Sequence, residues 1–336
     1  MRGVRLIEEE QVDEVIHLDR CERLQRQKLE LPAANGQPPL GLFRTTAATG
    51  PTKRAVILVH GFAQNHFTWR ISRRSLAGYL ASEGYEVLNL DLRGHGLSRE
   101  LGAGNATDFS EYVDDVSRIA MRCDQPPFAI GHSLGGAVIV GAATQTPLAG
   151  VVHLAGVFAF ATQNRTLRAL ARTSLKFAPV LTASRVRVST GWAGSLIGQL
   201  YSLTDIFGYG LPLAGWVPGS MEKDLLQERL ALGFDWTSVE VWLQMCRWAR
   251  GEPFQYGPAF SKLDLPLFVI VGDHDALASE TDGRACFDAS GCDDKEITVF
   301  DAFEHQVHWG HIDLILGDKA PGLVWPRIAD WMNRRC

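Results

Sequence analysis

The sequence predicts an α/β fold in which a mostly parallel central sheet carries helices on both faces. Two observations predict it. Short, continuously apolar runs alternate with helical stretches over short connections, as expected for a parallel sheet buried on both sides. A Gly-x-Ser-x-Gly pentapeptide, Gly131-His132-Ser133-Leu134-Gly135, falls at one strand-to-helix junction, the one setting in which that short pattern has a mechanism.

Taken in order, the first ~30 residues are rich in charge and read as a helical surface extension over residues 1–28. Residues 29–45 read as two short strands around Ala34-Asn35-Gly36, because Asn-Gly favours the positive φ angles of a hairpin turn. Strands are then expected at residues 55–60 (AVILVH), 85–90 (YEVLNL), 127–130 and 151–154. Helices are expected over 72–82, 110–122 and from Leu134 to before Pro147. From about 160 to 260 the alternation lapses into helices broken by Gly and Pro, without a clear strand. It resumes with a strand at 265–271 (LPLFVIV), a helix near 282–289, a strand at 296–300 and a last helix over 322–334. The expected organisation is a core of residues 1–160 and 261–336 interrupted by a helical cap, 161–260. Five of the nine tryptophans (Trp192, Trp216, Trp236, Trp242, Trp248) fall in the cap, which points to an apolar cavity beneath it.

Composition narrows the function. A chain of 336 residues with 46% hydrophobic content holds one large domain with an insertion, or two modest ones. The formal net charge of −5 speaks against a nucleic-acid partner, while a small basic or apolar patch leaves peripheral membrane contact open. No run approaches the ~20 apolar residues of a membrane span. The N-terminus (MRGVRLIEEE) lacks the apolar core of a secretory signal, so a cytoplasmic location is expected. Oligomeric state is not legible. Cys21, Cys123, Cys246, Cys286, Cys292 and Cys336 form no CxxC and have no nearby His at metal-ligand spacing. Reduced thiols are expected, although Cys286 and Cys292 are close enough in sequence to be bridged.

Ser133 is the candidate nucleophile. Side chains two positions either side of a serine on so tight a turn would collide, hence Gly131 and Gly135, while His132 fills the free position. A serine hydroxyl needs a base, and His305, His308 and His311 cluster after the last strand. His311, just before the final helical region, is preferred, with His308 as runner-up; His17 reads as a surface-helix residue. The base needs an orienting carboxylate. After the strand LPLFVIV comes Gly272-Asp273-His274-Asp275, and Asp275 is placed to swing over the sheet edge while Asp273 caps the turn. His60-Gly61-Phe62-Ala63 follows the strand AVILV. The Phe62 and Leu134 amides are the candidate oxyanion-hole donors, with Gln64 and Asn65 buttressing the loop. Asp91-Leu92-Arg93-Gly94-His95-Gly96 reads as a structural turn with Asp91 and Arg93 paired.

HGFAQN, DLRGHGLS, GHSLGG, GDHD and GHID, in that order, resemble the motifs of the α/β-hydrolase superfamily across residues 29–332. The resemblance implies the α/β-hydrolase fold and a serine nucleophile; an aspartate at the elbow would have implied a dehalogenase or epoxide hydrolase, a cysteine a polyester synthase. Residues 238–257, GDHDALAS and GHIDLILGDKAPGLVWP are similar to stretches of acid and gastric-type lipases, in which an aspartate follows the motif histidine by two residues, as Asp313 follows His311. A serine esterase or lipase-like enzyme is therefore expected, acting on a small hydrophobic ester without metal or organic cofactor. Two alternatives use the same chain: an acyltransferase with the same triad, and a non-catalytic ligand-binding protein of this fold.

Overall fold

The computed structural model describes residues 1–160, 164–183, 188–189 and 215–336. The apolar runs become strands: β1 (Arg5–His17), β2 (Arg20–Leu31), β3 (Leu40–Ala47), β4 (Ala55–Val59), β5 (Arg70–Ile71), β6 (Arg74–Ser75), β7 (Glu86–Asp91), β8 (Phe128–His132), β9 (Gly150–Leu154), β10 (Val188–Ser189), β11 (Trp236–Thr237), β12 (Leu267–Gly272) and β13 (Lys295–Phe300). Among the described residues they form an 11-stranded sheet ordered β13-β12-β9-β8-β4-β7-β3-β2-β1-β6-β5, with β10 and β11 paired separately. From β7 through β4, β8, β9 and β12 to β13 every pairing is parallel, and β3, β2 and β1 continue antiparallel.

The side-chain period of two sorts each central strand between the faces. Val56 and Leu58 of β4 pack with Leu80, Tyr85, Trp325 and Trp331 on one side. Ala55, Ile57 and Val59 pack with Val113, Val116, Val138 and Ile139 on the other. The helices covering these faces are α1 (Leu76–Ser82), α2 (Gly96–Glu100), α3 (Ser110–Ala120) and α4 (Leu134–Ala143), then, late in the chain, α10 (Glu280–Ala289), α11 (Asp313–Leu316), α12 (Ala320–Leu323) and α13 (Trp325–Asn333). Between β9 and β12 in sequence lie α5 (Arg165–Lys176), α6 (Ala178–Ala183), α7 (Lys223–Leu232), α8 (Val239–Trp248) and α9 (Gly257–Phe260). Only Ala171 and Ser174 of α5 are buried, whereas α4 (LGGAVIVGAA), apolar on all sides, lies wholly inside up to Ala142.

Three expectations are corrected. The N-terminal 30 residues are not helical: β1 and β2 form a long antiparallel hairpin at the sheet edge. Its charges pair across the strands, Glu10 opposite Arg26 and Asp13 opposite Arg23, with Arg26 also bonded to Glu14 and Gln27 Nε2 donating to Glu9 at 2.6 Å. Opposite charges directly across a ladder stabilise a sheet much as i,i+4 pairs stabilise a helix, so a charged run does not discriminate. The Leu18-Asp19 turn, with Leu18 at φ +47°, carries no glycine to announce it. His17 therefore ends a strand and pairs with Arg74 in β6. Next, the predicted helix over 72–82 starts only at Leu76, because Ser75 caps it, accepting from the Gly78 N–H. Finally, the segment expected to lack strands contains the short β10–β11 ladder. The Asn35-Gly36 turn is present with φ of +52° and +77°, followed by the β2–β3 pairing. No helix among the described residues is long and apolar enough to cross a membrane.

Candidate active site

Because β4, β8, β12 and β13 run parallel, the loops after all four emerge at one sheet edge. Strand β4 lies between β7 and β8, so the chain winds in opposite directions from it and leaves a crevice at its C-terminal end. The loop after β4 is His60-Gly61-Phe62, and the residue after its neighbour β8 is Ser133.

Ser133 stands at φ +56°, ψ −123°, a strained backbone for a residue with a side chain. Three hydrogen bonds hold it there: Ser133 N–H to Leu154 O (3.3 Å), and Gly136 and Val157 N–H to Ser133 O (3.0 Å each). A Cβ on Gly131 would collide with Gly135 O, and one on Gly135 with the carbonyls of Val59 and His60. The glycines thus let β8, α4 and β4 meet at the serine. Gly61 is equally confined, since a Cβ there would stand 2.8 Å from Ser133 Cβ.

The His60 ring sets the loop. Leu92 N–H donates to His60 Nε2 (3.1 Å), so the proton resides on Nδ1, which donates to Gly61 O (2.8 Å). Burial first, then neighbouring His95, pushes its pKa down to about 3 against the pull of Asp91, which keeps the ring neutral. With the Gly61 carbonyl held by His60, the Phe62 N–H across the same trans peptide points the opposite way. Among the described residues, neither the Phe62 nor the Leu134 N–H meets an acceptor. Gln64 Oε1 accepts from Gly61 N–H (3.3 Å) and Thr68 Oγ1 (2.9 Å). Asn65 accepts from Phe67 N–H and donates to Leu232 O (2.9 Å). The buttress therefore reaches the end of α7 and the residues after it, where Gln64 bridges Phe234 and Asp235 N–H donates to Ala63 O (2.9 Å).

Asp275 and His311 meet at the other side. Asp275 Oδ2 lies 2.7 Å from His311 Nδ1, while Oδ1 accepts from the Leu277 and Ala278 N–H groups at 2.8 Å each. Both side chains are buried. His308 lies elsewhere: it is half exposed and its Nδ1 faces Asp273 Oδ2 at 2.6 Å. Asp273 does not cap its own turn as expected: its Oδ1 accepts from Trp309 N–H (2.9 Å) in the loop after β13, and Asp275 takes the N–H groups of the turn instead. His305 is buried on β13's side against Phe300.

Several contacts escaped sequence reasoning. His132 does more than fill a position: its Nε2 donates to the His311 carbonyl (3.1 Å), and the two rings stand 4.4 Å apart. Asp313 receives Gly310 N–H (2.7 Å), Val217 N–H (2.9 Å) and the Ser220 hydroxyl (2.8 Å), fastening the His311 loop to residues 217–220. Burial, opposed by those bonds, raises its pKa to about 7. The local pair expected between Asp91 and Arg93 is absent. Asp91 bonds His66 Nδ1 (2.7 Å), and Arg93 reaches Asp115 on α3 (2.6 Å); consecutive strand-end side chains two apart need not share a partner once the loop turns at Gly94 and Gly96. Arg229 on α7 is fully buried, its Nη2 3.4 Å from Thr68 Oγ1 and its Nε and Nη1 unpartnered among the described residues. Partners this far apart leave no local signal, though a buried Arg in LLQERLAL breaks the apolar pattern visibly.

Residues 50–195 match the family model described as serine aminopeptidase, S33. The chain is 33% identical over 174 residues to the magnesium-chelatase 30 kDa subunit of Rhodobacter capsulatus, covering 48% of this chain and 56% of that one. It is 34% identical over 107 residues to epoxide hydrolase B of Mycobacterium tuberculosis, 31% of this chain and 29% of that one. The chain thus spans about half or less of the curated relatives it matches. Among solved structures, the monoacylglycerol lipase of Paleococcus ferrophilus superposes with a TM-score of 0.61 at 20% identity, over 88% of this chain and 99% of that one. A soluble variant of the Saccharomyces cerevisiae monoglyceride lipase gives 0.64 at 17% identity, over 92% and 96%. These likenesses show one fold, that of the α/β hydrolases.

Proposed function

We propose that this chain, which has the α/β-hydrolase fold, is a serine hydrolase that cleaves carboxylic esters of hydrophobic substrates through an acyl-enzyme on Ser133. One observation carries the reading: a strained, glycine-flanked serine shares a sheet edge with the buried Asp275–His311 pair. Asp275 accepts from His311 Nδ1–H, which leaves Nε2 as the base. His311 takes the Ser133 proton as Oγ attacks the ester carbonyl, and the Phe62 and Leu134 amides stabilise the oxyanion. His311 then protonates the departing alcohol. Water, deprotonated by the same ring, releases the acid and restores the serine.

A partly open apolar cavity supports a hydrophobic acyl group. It is lined by Val157, Phe160, Leu167, Ala171, Trp242 and Met245 among others, and it borders the reacting groups. Val157 N–H bonds Ser133 O, the Trp242 ring lies 5.7 Å from that of Phe62, and Leu277, also in the lining, bonds Asp275. Helices α5 and α8 supply much of this wall, the role expected of a cap over residues 161–260. The fold neighbours named as monoacylglycerol and monoglyceride lipases agree with such a substrate.

The test is turnover of p-nitrophenyl esters from acetate to palmitate by the wild type beside Ser133→Ala. Activity that falls by about 10⁴-fold or more in the variant is expected, with the best chain length sizing the cavity. A folded protein that turns over no ester, and whose Ser133 ignores a fluorophosphonate probe, sinks the reading in favour of a ligand-binding role. Labelling without turnover points to an acyltransferase awaiting its acceptor.

A further inference from the structure

We propose that Asp273, His274 and His308 form a binding site for a divalent transition-metal ion of the zinc type, separate from the acyl-transfer groups. One ligand atom from each of the three lies within 4.8 Å of the others. Asp273 Oδ2 is 2.6 Å from His308 Nδ1 and 3.1 Å from His274 Nδ1. Zinc bound at about 2.0–2.2 Å to nitrogen and oxygen sets neighbouring ligand atoms of a tetrahedron roughly 3.3 Å apart. The two Asp273–histidine distances are thus within about 0.7 Å of that spacing, and small side-chain adjustments would admit the ion.

Backbone hydrogen bonds hold Asp273, His274 and Trp309, the neighbour of His308. Asp273 N–H donates to Phe300 O (2.9 Å) and His274 N–H to Trp309 O (3.0 Å). Trp309 N–H donates to Asp273 Oδ1 (2.9 Å), which orients the carboxylate and leaves Oδ2 for the metal, as ligating carboxylates are commonly steadied by a hydrogen bond on the other oxygen. Two imidazoles and one carboxylate suit zinc better than calcium or magnesium, which take oxygen ligands. Both imidazoles are exposed enough for water to complete the coordination. The sequence pattern could not show the site, because two ligands follow β12 and the third follows β13, joined only by the parallel β12–β13 pairing.

The same two loops carry Asp275 and His311, so an ion here would staple them together and raise the unfolding temperature. Titration of the metal-stripped full chain with zinc chloride, followed by calorimetry and thermal unfolding, tests this. One equivalent should bind and Tm should rise. His274→Ala and His308→Ala, both surface changes, should each weaken binding by at least tenfold. Asp273→Asn should do the same while its amide oxygen still accepts from Trp309 N–H. Ser133→Ala should bind zinc as the wild type does, which keeps this result distinct from the fate of the hydrolase reading. Absence of binding at millimolar zinc overturns the proposal. So does binding that survives in both histidine variants, or that is lost in Ser133→Ala.

Discussion

Asp275 divides its two oxygens between the backbone and His311, and the division makes its amide informative. An asparagine can keep the oxygen that accepts from Leu277 and Ala278, but its NH₂ then faces His311 Nδ1. That nitrogen must become an acceptor, the ring proton moves to Nε2, and the base is lost without a change of shape. Asp275→Asn should lower kcat by about 10⁴-fold with Tm little changed; kcat within tenfold of wild type, measured on the best p-nitrophenyl ester, would remove Asp275 from the mechanism. At this scale the sequence was informative wherever chemistry demands a fixed spacing. Ser133 between its glycines, and Asp275 three residues beyond Gly272, stand in such patterns. It was silent on partners joined only by the fold, such as Arg93 with Asp115 or His132 with the His311 carbonyl.

Among elements, the meeting of β4, β8 and α4 is the most confined. A methyl group on Gly135 would strike the Val59 and His60 carbonyls, which are backbone and cannot rotate away. Gly135→Ala must then separate α4 from the end of β4, and with it the Leu134 amide from the Phe62 amide. We expect a loss of about 1–3 kcal/mol in stability or more and a fall in kcat of at least 10²-fold, the scale of one lost oxyanion donor. Unfolding in urea and turnover of the same preparation check both, and a variant as stable and active as wild type would mean that the elbow tolerates a side chain there. The apolar strands and the small-residue helix α4 were legible because their burial on all sides leaves no polar residues to confuse the period. The hairpin β1–β2 was not, because β1 is exposed along most of its length and many of the contacts across the ladder are between charges. Nothing in a run such as RLIEEEQVDEVIH decides between pairing along a helix and pairing across a ladder.

For the whole molecule, the buried ionisable groups set opposing slopes of stability against pH. Burial lowers the pKa of His60 to about 3 and of His153 to about 4, and also depresses His95 and His132. In the unfolded chain these rings protonate near 6.5. The unfolded state therefore takes up more protons as pH falls below 6.5, and stability drops until the folded values are passed. Asp91 adds to the acid loss: burial would raise it, but His66 and its hydrogen bond outweigh that and hold it at about 2, so its contribution, full above about 4, fades towards pH 2. Asp313 runs the other way. Its folded pKa of about 7 lies above the unfolded value, so its contribution is complete below about 4 and disappears as pH rises through 7. Burial also raises the Asp115 carboxyl against its pairing with Arg93, but several histidines against these two carboxylates leave a net rise in stability from pH 4 to 6.5. Asp313→Asn removes its part of the opposing slope while an amide oxygen still accepts from Gly310 and Val217. The variant should match the wild type near pH 4.5 and exceed it by a few kcal/mol at pH 8. Urea unfolding of both proteins across this range is the measurement. Parallel curves would mean that Asp313 is as ionised in the folded chain as in the unfolded one, and that its three donors outweigh its burial.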